Sequence, residues 1–197
     1  MNRHSPEAVG CPSGAVLRFY RRLEAYRLST HGVILARGDR VFSECYFAPF
    51  TAETKHRMYS VSKTFVAAAV LFCIQDGLLT PDTPISEFFP YPSHDTVRSL
   101  LMMETTATDR GWWFGEGCRD RTETCFPKSE RKLPLTQFDY DSQGSYLLGV
   151  IVEKLTGRPF LSYLQEKVLK ELGFSQDAYC LQVPGGHSFG DSGVMCT

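Results

Sequence analysis

The fold of this chain is decided by residues 57–79, whose sequence is RMYSVSKTFVAAAVLFCIQDGLL. A polar beginning leads into the longest apolar run of the chain, residues 65–74. This pattern predicts a buried helix with a hydroxyl group at its N-terminal end. Ser60 and Lys63 are three residues apart, so a helix that begins near Ser60 presents both side chains on the same side. A candidate nucleophile is therefore predicted to lie beside a candidate base.

The chemistry of a serine and a lysine in this position is that of covalent catalysis. Serine is a weak nucleophile on its own and requires a base within hydrogen-bond distance. Lysine acts as a base only in its neutral form, which burial favours. A helix N-terminus also offers a backbone N–H and a positive dipole end to a developing oxyanion. Ser60 and Lys63 are therefore a candidate nucleophile and base, and the alternative is a serine that caps the helix beside a surface lysine.

The S-x-x-K spacing alone carries little weight, because it occurs a second time in the same chain. Ser129 and Lys132 also match it, but they lie in a charged, irregular segment with no apolar helix behind them. We interpret this second copy as solvated surface. The apolar context, rather than the spacing, distinguishes Ser60 and Lys63.

The composition is that of an ordinary globular protein. The 197 residues are 43% hydrophobic and 22% charged, with a formal net charge of -1. Because charges of both signs are interspersed, we expect no basic face and no nucleic-acid partner. We treat residues 1–197 as a single domain, with a helix, a hairpin and the nucleophile helix in residues 1–81 and a mostly helical subdomain in residues 82–197.

Metal sites and membrane segments are not predicted. The seven cysteines are scattered without a C-x-x-C pair, and the five histidines show no H-x-x-x-H spacing. We therefore expect no metal and no other cofactor. The N-terminus has no apolar signal segment, and the run at residues 65–74 is about half the roughly 20 residues that a membrane span requires. A cytoplasmic protein is expected.

Hydrophobic periodicity predicts the remaining elements. An amphipathic helix is expected in residues 12–28, followed by a β-hairpin whose turn contains Gly38. A short helix at residues 96–103 and two longer helices, one from Gln143 to Gly157 and one at residues 159–172, follow. Residues 104–134 have no clear period. We interpret this segment as a wall of the site, with Trp112 and Trp113 as candidate substrate-binding residues.

Three further motifs contain serine. Residues 186–190, GHSFG, match the G-x-S-x-G nucleophile elbow, but no histidine follows Ser188. Residues 190–193, GDSG, are similar to the serine region of trypsin-like proteases, which are β-barrels. Both are interpreted as glycine-rich turns. Tyr140 and Ser142 form a Tyr-x-Ser pair at the beginning of a predicted helix, where the phenol could move a proton and the hydroxyl could hold the substrate.

Taken in order, these segments resemble the serine β-lactamase and penicillin-binding-protein (DD-peptidase-like) superfamily, and most of all its class C-like and esterase-like branch. The similarity begins at SPEAVGCPSG and HGVILARGDRVFSECYFAPF and is strongest at HRMYSVSKTF. It continues at RSLLMMETT, FDYDSQGSYLLGVIVEKLTGRPFLSYL and GDSGVMCT. The resemblance covers nearly the whole chain, and the ordered set of segments is far more specific than any one of them.

The resemblance implies an α+β fold, in which an antiparallel sheet, incomplete here, accompanies the nucleophile helix and a helical subdomain. It implies that Ser60 is acylated, that Lys63 assists as base and that Tyr140 takes the place of the tyrosine of the second motif. Ser142 stands where that motif often has asparagine, which weakens a β-lactam-specific interpretation and fits an esterase, amidase or peptidase equally well. The expected partner is a small-molecule or peptide-like acyl substrate, and the oligomeric state is left open.

The resemblance also implies a third motif, a K-T-G or H-x-G strand, which these 197 residues do not contain. That strand supplies a second oxyanion donor in such enzymes, so we expect the sequence to be the N-terminal part of a longer hydrolase. Two alternatives stay open at this point. One is a catalytically inactive relative that binds a ligand or peptide, and the other is an α/β-hydrolase that uses Ser188 and requires a parallel sheet.

Overall fold

The computed structural model describes residues 2–106, 118–126 and 137–197. It divides into two compact units, one of Met1–Thr54 together with Thr197 and one of Lys55–Cys196. The candidate nucleophile and the helices expected around it all lie in the second unit. The assignment of the whole chain to a single domain stays a prediction.

The first unit contains one helix and a three-stranded sheet. Its elements are β1 (Asn2–Arg3), α1 (Ser13–Ala25), β2 (Gly32–Arg37) and β3 (Arg40–Tyr46). Strands β2 and β3 form the predicted antiparallel hairpin, and Gly38 in its turn has a φ of 61°. Strand β1 pairs with β3 in the parallel direction, so the sheet is mixed and has the order β1-β3-β2.

The second unit holds the remaining elements. They are β4 (His56–Arg57), α2 (Ser62–Gln75), α3 (Val97–Met102), α4 (Arg121–Thr124), α5 (Ser142–Thr156), α6 (Phe160–Leu164), β5 (Tyr179–Cys180) and β6 (Val194–Cys196). The predicted α+β character is confirmed. Strands β4, β6 and β5 form a small antiparallel sheet in that order. Strand β6 lies in the glycine-rich tail and has no counterpart in the predicted elements.

Helix α2 is the predicted nucleophile helix, with two differences from the expectation. The α-helix begins at Ser62, and Ser60 lies just before it in a short 3-10 turn, Tyr59–Val61. The helix is also buried on one side only. Solvent does not reach the residues of that side, which are Val66, Ala69, Val70 and Cys73. On the opposite side, Leu71 is 59% exposed.

Helices α5 and α6 cover the buried side of α2. Helix α5 begins where the side chain of Asp141 accepts a hydrogen bond of 2.9 Å from the backbone N–H of Gly144, and it ends at Gly157 in the left-handed conformation. The predicted helix at residues 159–172 is shorter than expected. Helix α6 ends at Leu164 and continues as one π-helical turn, Gln165–Leu169.

Two glycines allow this core to close where α5 meets the segment before β6. The Cα atoms of these residues, Gly149 and Gly190, face each other beside the side chains of Val66 and Phe160. A Cβ atom on Gly190 would lie 2.9 Å from Cγ2 of Val66, which is too close for two carbon atoms. A Cβ atom on Gly149 would make ordinary contacts of 3.7 Å. The segment before β6 can therefore pack against α2 only with glycine at residue 190.

No helix in the described part of the chain has the length and the apolarity to cross a bilayer.

Gly190→Ala should destabilise the protein, because the branched side chain of Val66 has no room to move away from the added methyl group. We expect the free energy of unfolding to fall by about 1–3 kcal/mol. Gly149→Ala is the matched control and should leave stability unchanged or raise it by up to about 1 kcal/mol, since it replaces glycine inside a helix. Urea denaturation monitored by circular dichroism measures both, and equal stability of the two variants would contradict the packing described here.

Candidate active site

Ser60 lies in the 3-10 turn that connects the short strand β4 to helix α2. The preceding residue, Tyr59, has a φ of 45°, which is unusual for a residue with a side chain. The backbone N–H of Met58 donates a hydrogen bond of 2.8 Å to the carbonyl of Val194 in β6. The strand pairing and the unusual turn together place the Ser60 hydroxyl at the surface, at the mouth of α2.

Lys63 contacts the Ser60 hydroxyl, as the sequence predicted. Its Nζ atom donates a hydrogen bond of 3.2 Å to Oγ of Ser60. A second hydrogen bond, of 2.8 Å, goes to the backbone carbonyl of Asp191. The lysine is therefore held between the nucleophile and a segment 128 residues further along the chain.

Tyr140 reaches the same hydroxyl from the other side. Its phenol donates a hydrogen bond of 2.9 Å to Oγ of Ser60, and Nζ of Lys63 lies 5.1 Å from the centre of its ring. Burial is the largest single influence on the phenol and raises its pKa. The hydrogen bonds with Ser60 and Lys63 and the positive charge of Lys63 together outweigh burial, so that the pKa of Tyr140 lies below its ordinary value.

Ser142 lies on the first turn of α5 and lines the cavity described below. Its hydroxyl interacts with Tyr140 and contributes to the lowered pKa of that phenol. The two remaining predicted binding residues, Trp112 and Trp113, lie outside the described residues, so their role stays a prediction. The second S-x-x-K copy, Ser129 and Lys132, also lies outside them.

A cavity of about 470 Å³ opens beside Ser60. Its lining comes from the turn that carries Ser60, from α4, from the start of α5 and from the segment before β6. The charged and hydroxyl-bearing residues around it include Arg57, Lys63, Arg121, Ser142, Asp191 and Ser192. A cavity of this size accommodates a small molecule or the side chain of a larger one.

A buried ion pair shapes the wall formed by the segment before β6. Arg121 donates hydrogen bonds to both carboxylate oxygens of Asp191, at 2.8 and 3.2 Å. The two side chains are buried, with exposed fractions of 5% and 6%. The guanidinium also lies against the rings of Tyr146 and Phe189, 4.3 and 4.6 Å from their centres. Since the carbonyl of Asp191 receives Lys63, this pair fixes the position of the lysine's second partner.

Arg57 connects the Ser60 turn to the same wall. Its Nε donates a hydrogen bond of 2.9 Å to the carbonyl of Ser192, and its Nη2 lies 3.4 Å from Oγ of that serine. The guanidinium is flanked by the rings of Tyr59 and Phe189, 4.8 and 5.2 Å from their centres. The sequence did not single out Arg57, Arg121 or Asp191 as site residues. Asp191 was noted only as part of residues 190–193, GDSG, because of their similarity to the serine region of trypsin-like proteases.

The other two serine motifs do not form a second nucleophilic site. Ser188 is buried, and its backbone N–H, rather than its hydroxyl, bonds to the carboxylate of Glu153, at 3.3 Å. Residues 190–193 belong to a turn, as predicted, in which Gly193 N–H donates to the carbonyl of Phe189. Among residues 2–106, 118–126 and 137–197, the parallel strand pairing is confined to β1 and β3. The α/β-hydrolase alternative is therefore wrong.

The fold and the site define an α+β protein with a serine, a lysine and a tyrosine clustered at the mouth of a buried helix. The Beta-lactamase family model matches residues 18–185, which is most of the chain. The chain therefore belongs to the Beta-lactamase family. The predicted relationship to the serine β-lactamases and penicillin-binding proteins is confirmed.

Relatives with curated names and solved structures agree with this assignment. The chain is 27% identical over 191 residues to the 6-aminohexanoate-dimer hydrolase of Paenarthrobacter ureafaciens, covering 85% of this chain and 49% of that protein. A putative 6-aminohexanoate-dimer hydrolase from Bacillus anthracis matches its fold with a TM-score of 0.71 at 15% identity, over 90% of this chain and 53% of the other. The D-amino acid amidase of Ochrobactrum anthropi SV3 matches with a TM-score of 0.62 at 18% identity, over 88% and 64%. The chain thus spans about half the length of the curated relative.

Arg121→Met should lower the free energy of unfolding by about 3–5 kcal/mol, because it leaves the carboxylate of Asp191 buried without its partner. The double variant Arg121→Met/Asp191→Leu should recover most of this loss, since no isolated charge stays behind. Arg158→Met is the control, because it removes an exposed ion pair with Glu166 and should cost less than about 1 kcal/mol. Urea denaturation provides the values, and a double variant as unstable as the sum of the two single variants would contradict this prediction.

Tyr140 should ionise below the ordinary tyrosine pKa of 10.0 in the folded protein. A lowered pKa means that the phenolate forms at lower pH, so the near-ultraviolet absorbance of the wild type should rise earlier than that of Tyr140→Phe. Ser60→Ala and Lys63→Met should each move this ionisation to higher pH, because each removes a partner of the phenolate. In Tyr163→Phe the early ionisation should persist, since burial and a hydrogen bond to Asp76 raise the pKa of Tyr163. Identical titrations of wild type and Tyr140→Phe would show that Tyr140 is not perturbed.

Proposed function

We propose that this chain is the nucleophile-bearing part of a serine hydrolase that acts on an ester, amide or β-lactam carbonyl through an acyl-enzyme. One observation carries the proposal. The Oγ atom of Ser60 lies within hydrogen-bond distance of both Lys63 and Tyr140, at 3.2 and 2.9 Å, beside a cavity large enough for a small acyl compound. Membership of the Beta-lactamase family supports the same reaction class.

In the first step the Oγ atom of Ser60 attacks the carbonyl carbon and gives up its proton. Tyr140 in its ionised form accepts that proton, and its lowered pKa makes this form accessible nearer to neutral pH. The positive charge of Lys63 stabilises the phenolate and the developing alkoxide. In this proposal the backbone N–H of Ser60 stabilises the negative charge that develops on the carbonyl oxygen.

In the second step the tetrahedral intermediate collapses, and the bond to the leaving group breaks. The protonated phenol of Tyr140, or the ammonium of Lys63, returns a proton to the leaving alcohol or amine. Water then attacks the acyl carbon and gives its proton to whichever of the two groups protonated the leaving group. The bond between Oγ of Ser60 and the acyl carbon breaks, Oγ takes a proton from Tyr140, and the acid is released with Ser60 and the phenolate restored. Lys63 therefore handles protons together with Tyr140, while Ser142 orients the tyrosine or the substrate.

The substrate class rests on the relatives. One is a hydrolase of the 6-aminohexanoate dimer and another is a D-amino acid amidase, so their names describe hydrolytic enzymes with amide or amino-acid substrates. We infer that the protein containing this chain cleaves an amide or ester, and that a β-lactam can acylate the same serine.

A fluorophosphonate probe followed by intact-mass measurement tests the acylation step. We expect one adduct on the wild type, none on Ser60→Ala, and labelling slowed by about 10²- to 10⁴-fold in Lys63→Met and Tyr140→Phe, because proton transfer contributes a rate factor of this size. Ser188→Ala is the matched control and should be labelled like the wild type, since its hydroxyl lies outside the cavity.

The opposite outcome would favour the binding-module alternative. An unlabelled folded wild type, or an adduct that persists in Ser60→Ala, would show that Ser60 is not a nucleophile. A fluorescent penicillin used in the same way distinguishes β-lactam acylation from general serine reactivity.

A further inference from the structure

The charge around the cavity is unbalanced. Three cationic side chains, Arg57, Lys63 and Arg121, line it together with one carboxylate, that of Asp191. Arg121 and Asp191 neutralise each other in the buried ion pair. Among the described residues, neither Arg57 nor Lys63 pairs with a carboxylate; their hydrogen bonds go to hydroxyl and carbonyl oxygens. The part of the cavity lining that the structure describes therefore carries more cationic than anionic side chains.

The guanidinium of Arg57 has donors to spare. Its Nε and Nη2 contact the carbonyl and the hydroxyl of Ser192, and within the described part of the chain Nη1 makes no hydrogen bond. The rings of Tyr59 and Phe189 flank the guanidinium, 4.8 and 5.2 Å from its central carbon. A guanidinium held in place by two of its nitrogen atoms, with further N–H groups in the same plane, is suited to a planar anion such as a carboxylate.

Ser192 provides a second donor beside it. Because its Oγ accepts from Nη2 of Arg57, at 3.4 Å, the hydroxyl proton of the serine is directed away from the arginine. Both residues line the cavity that contains Ser60. Arg57 and Ser192 thus offer two adjacent donors for the two oxygens of one carboxylate.

From this arrangement we propose that Arg57, assisted by Ser192, binds a carboxylate of the substrate, so that the preferred substrates are acyl compounds with a free acid group. The proposal rests on the proposed function for the reaction at Ser60, but the binding of the acid group does not require that reaction. Arg57 is then a specificity-determining residue of the site. Its contacts to Ser192 and Tyr59 hold the guanidinium in place before the substrate arrives, which lowers the entropic cost of binding.

The test measures binding by isothermal titration calorimetry on Ser60→Ala, which cannot be acylated. The probes are the monoanilides of succinate, glutarate and adipate, each compared with its methyl ester, which has nearly the same shape without the charge. We expect at least one acid to bind about 10- to 100-fold more tightly than its ester, as charge-assisted hydrogen bonds allow. Added salt should weaken the acid more than the ester.

Variants in the Ser60→Ala background identify the residue responsible. Arg57→Met should reduce the acid-to-ester preference towards one, Arg57→Lys should keep part of it, and Ser192→Ala should reduce it about two- to tenfold. Arg98→Met is the matched control, because it removes an exposed arginine that pairs with Asp82 and should leave the preference as it is.

Three outcomes would overturn the proposal: equal binding of acid and ester at all three lengths, no binding of the acids, or a preference that Arg57→Met does not change. The last outcome would assign recognition to Lys63. The fluorophosphonate experiment on the wild type is independent of these results. A labelled Ser60 without acid preference would therefore refute the role of Arg57 alone, and an acid preference without labelling would refute the hydrolase alone.

Discussion

The site depends on the buried ion pair of Arg121 and Asp191, although apolar residues of similar volume often make a protein core more stable than such a pair does. Removing a guanidinium and a carboxylate from water costs several kcal/mol each, and their attraction offsets this cost only with good geometry. Arg121 and Asp191 meet this requirement with two short hydrogen bonds and two aromatic neighbours. What the pair provides is position. It holds the carbonyl of Asp191 that accepts a hydrogen bond from Lys63, and Lys63 in turn contacts the hydroxyl of Ser60.

Much of the fold could be predicted because its helices follow simple patterns. The apolar run after Ser60 predicted α2, the helical spacing from Gln143 to Gly157 predicted α5, and Gly38 predicted the hairpin turn. The sequence was less informative where structure depends on partners. Strands β4, β5 and β6 are two or three residues long, which is too short for a hydrophobic period to be detected in the sequence. They form because they pair with each other.

The candidate site was predicted only where its residues are neighbours in sequence or belong to a family motif. Ser60 and Lys63 are close in sequence, and the predicted neighbourhood of Tyr140 came from a family resemblance rather than from spacing. Arg121 and Asp191 lie 70 residues apart, and nothing in the letters around Arg121 indicates that it would be buried. Ion pairs of this kind are formed by tertiary packing, which one sequence does not reveal. The position of Ser60 also differs from the prediction, because Ser60 lies in a 3-10 turn rather than in the first turn of the α-helix.

The distance along the chain between the partners of the site has a consequence for biosynthesis. Arg57 and Lys63 find their oxygen partners 135 and 128 residues later, in the segment that leads into β6. Helix α2 can form soon after it leaves the ribosome, but the lysine beside Ser60 lacks its carbonyl partner until Asp191 has emerged. While residues 64–190 are being synthesised, a newly made chain therefore carries Ser60 without the complete arrangement around it. The contacts of the Ser60 hydroxyl are therefore completed only after the helix that begins beside it has formed and the segment before β6 has been made.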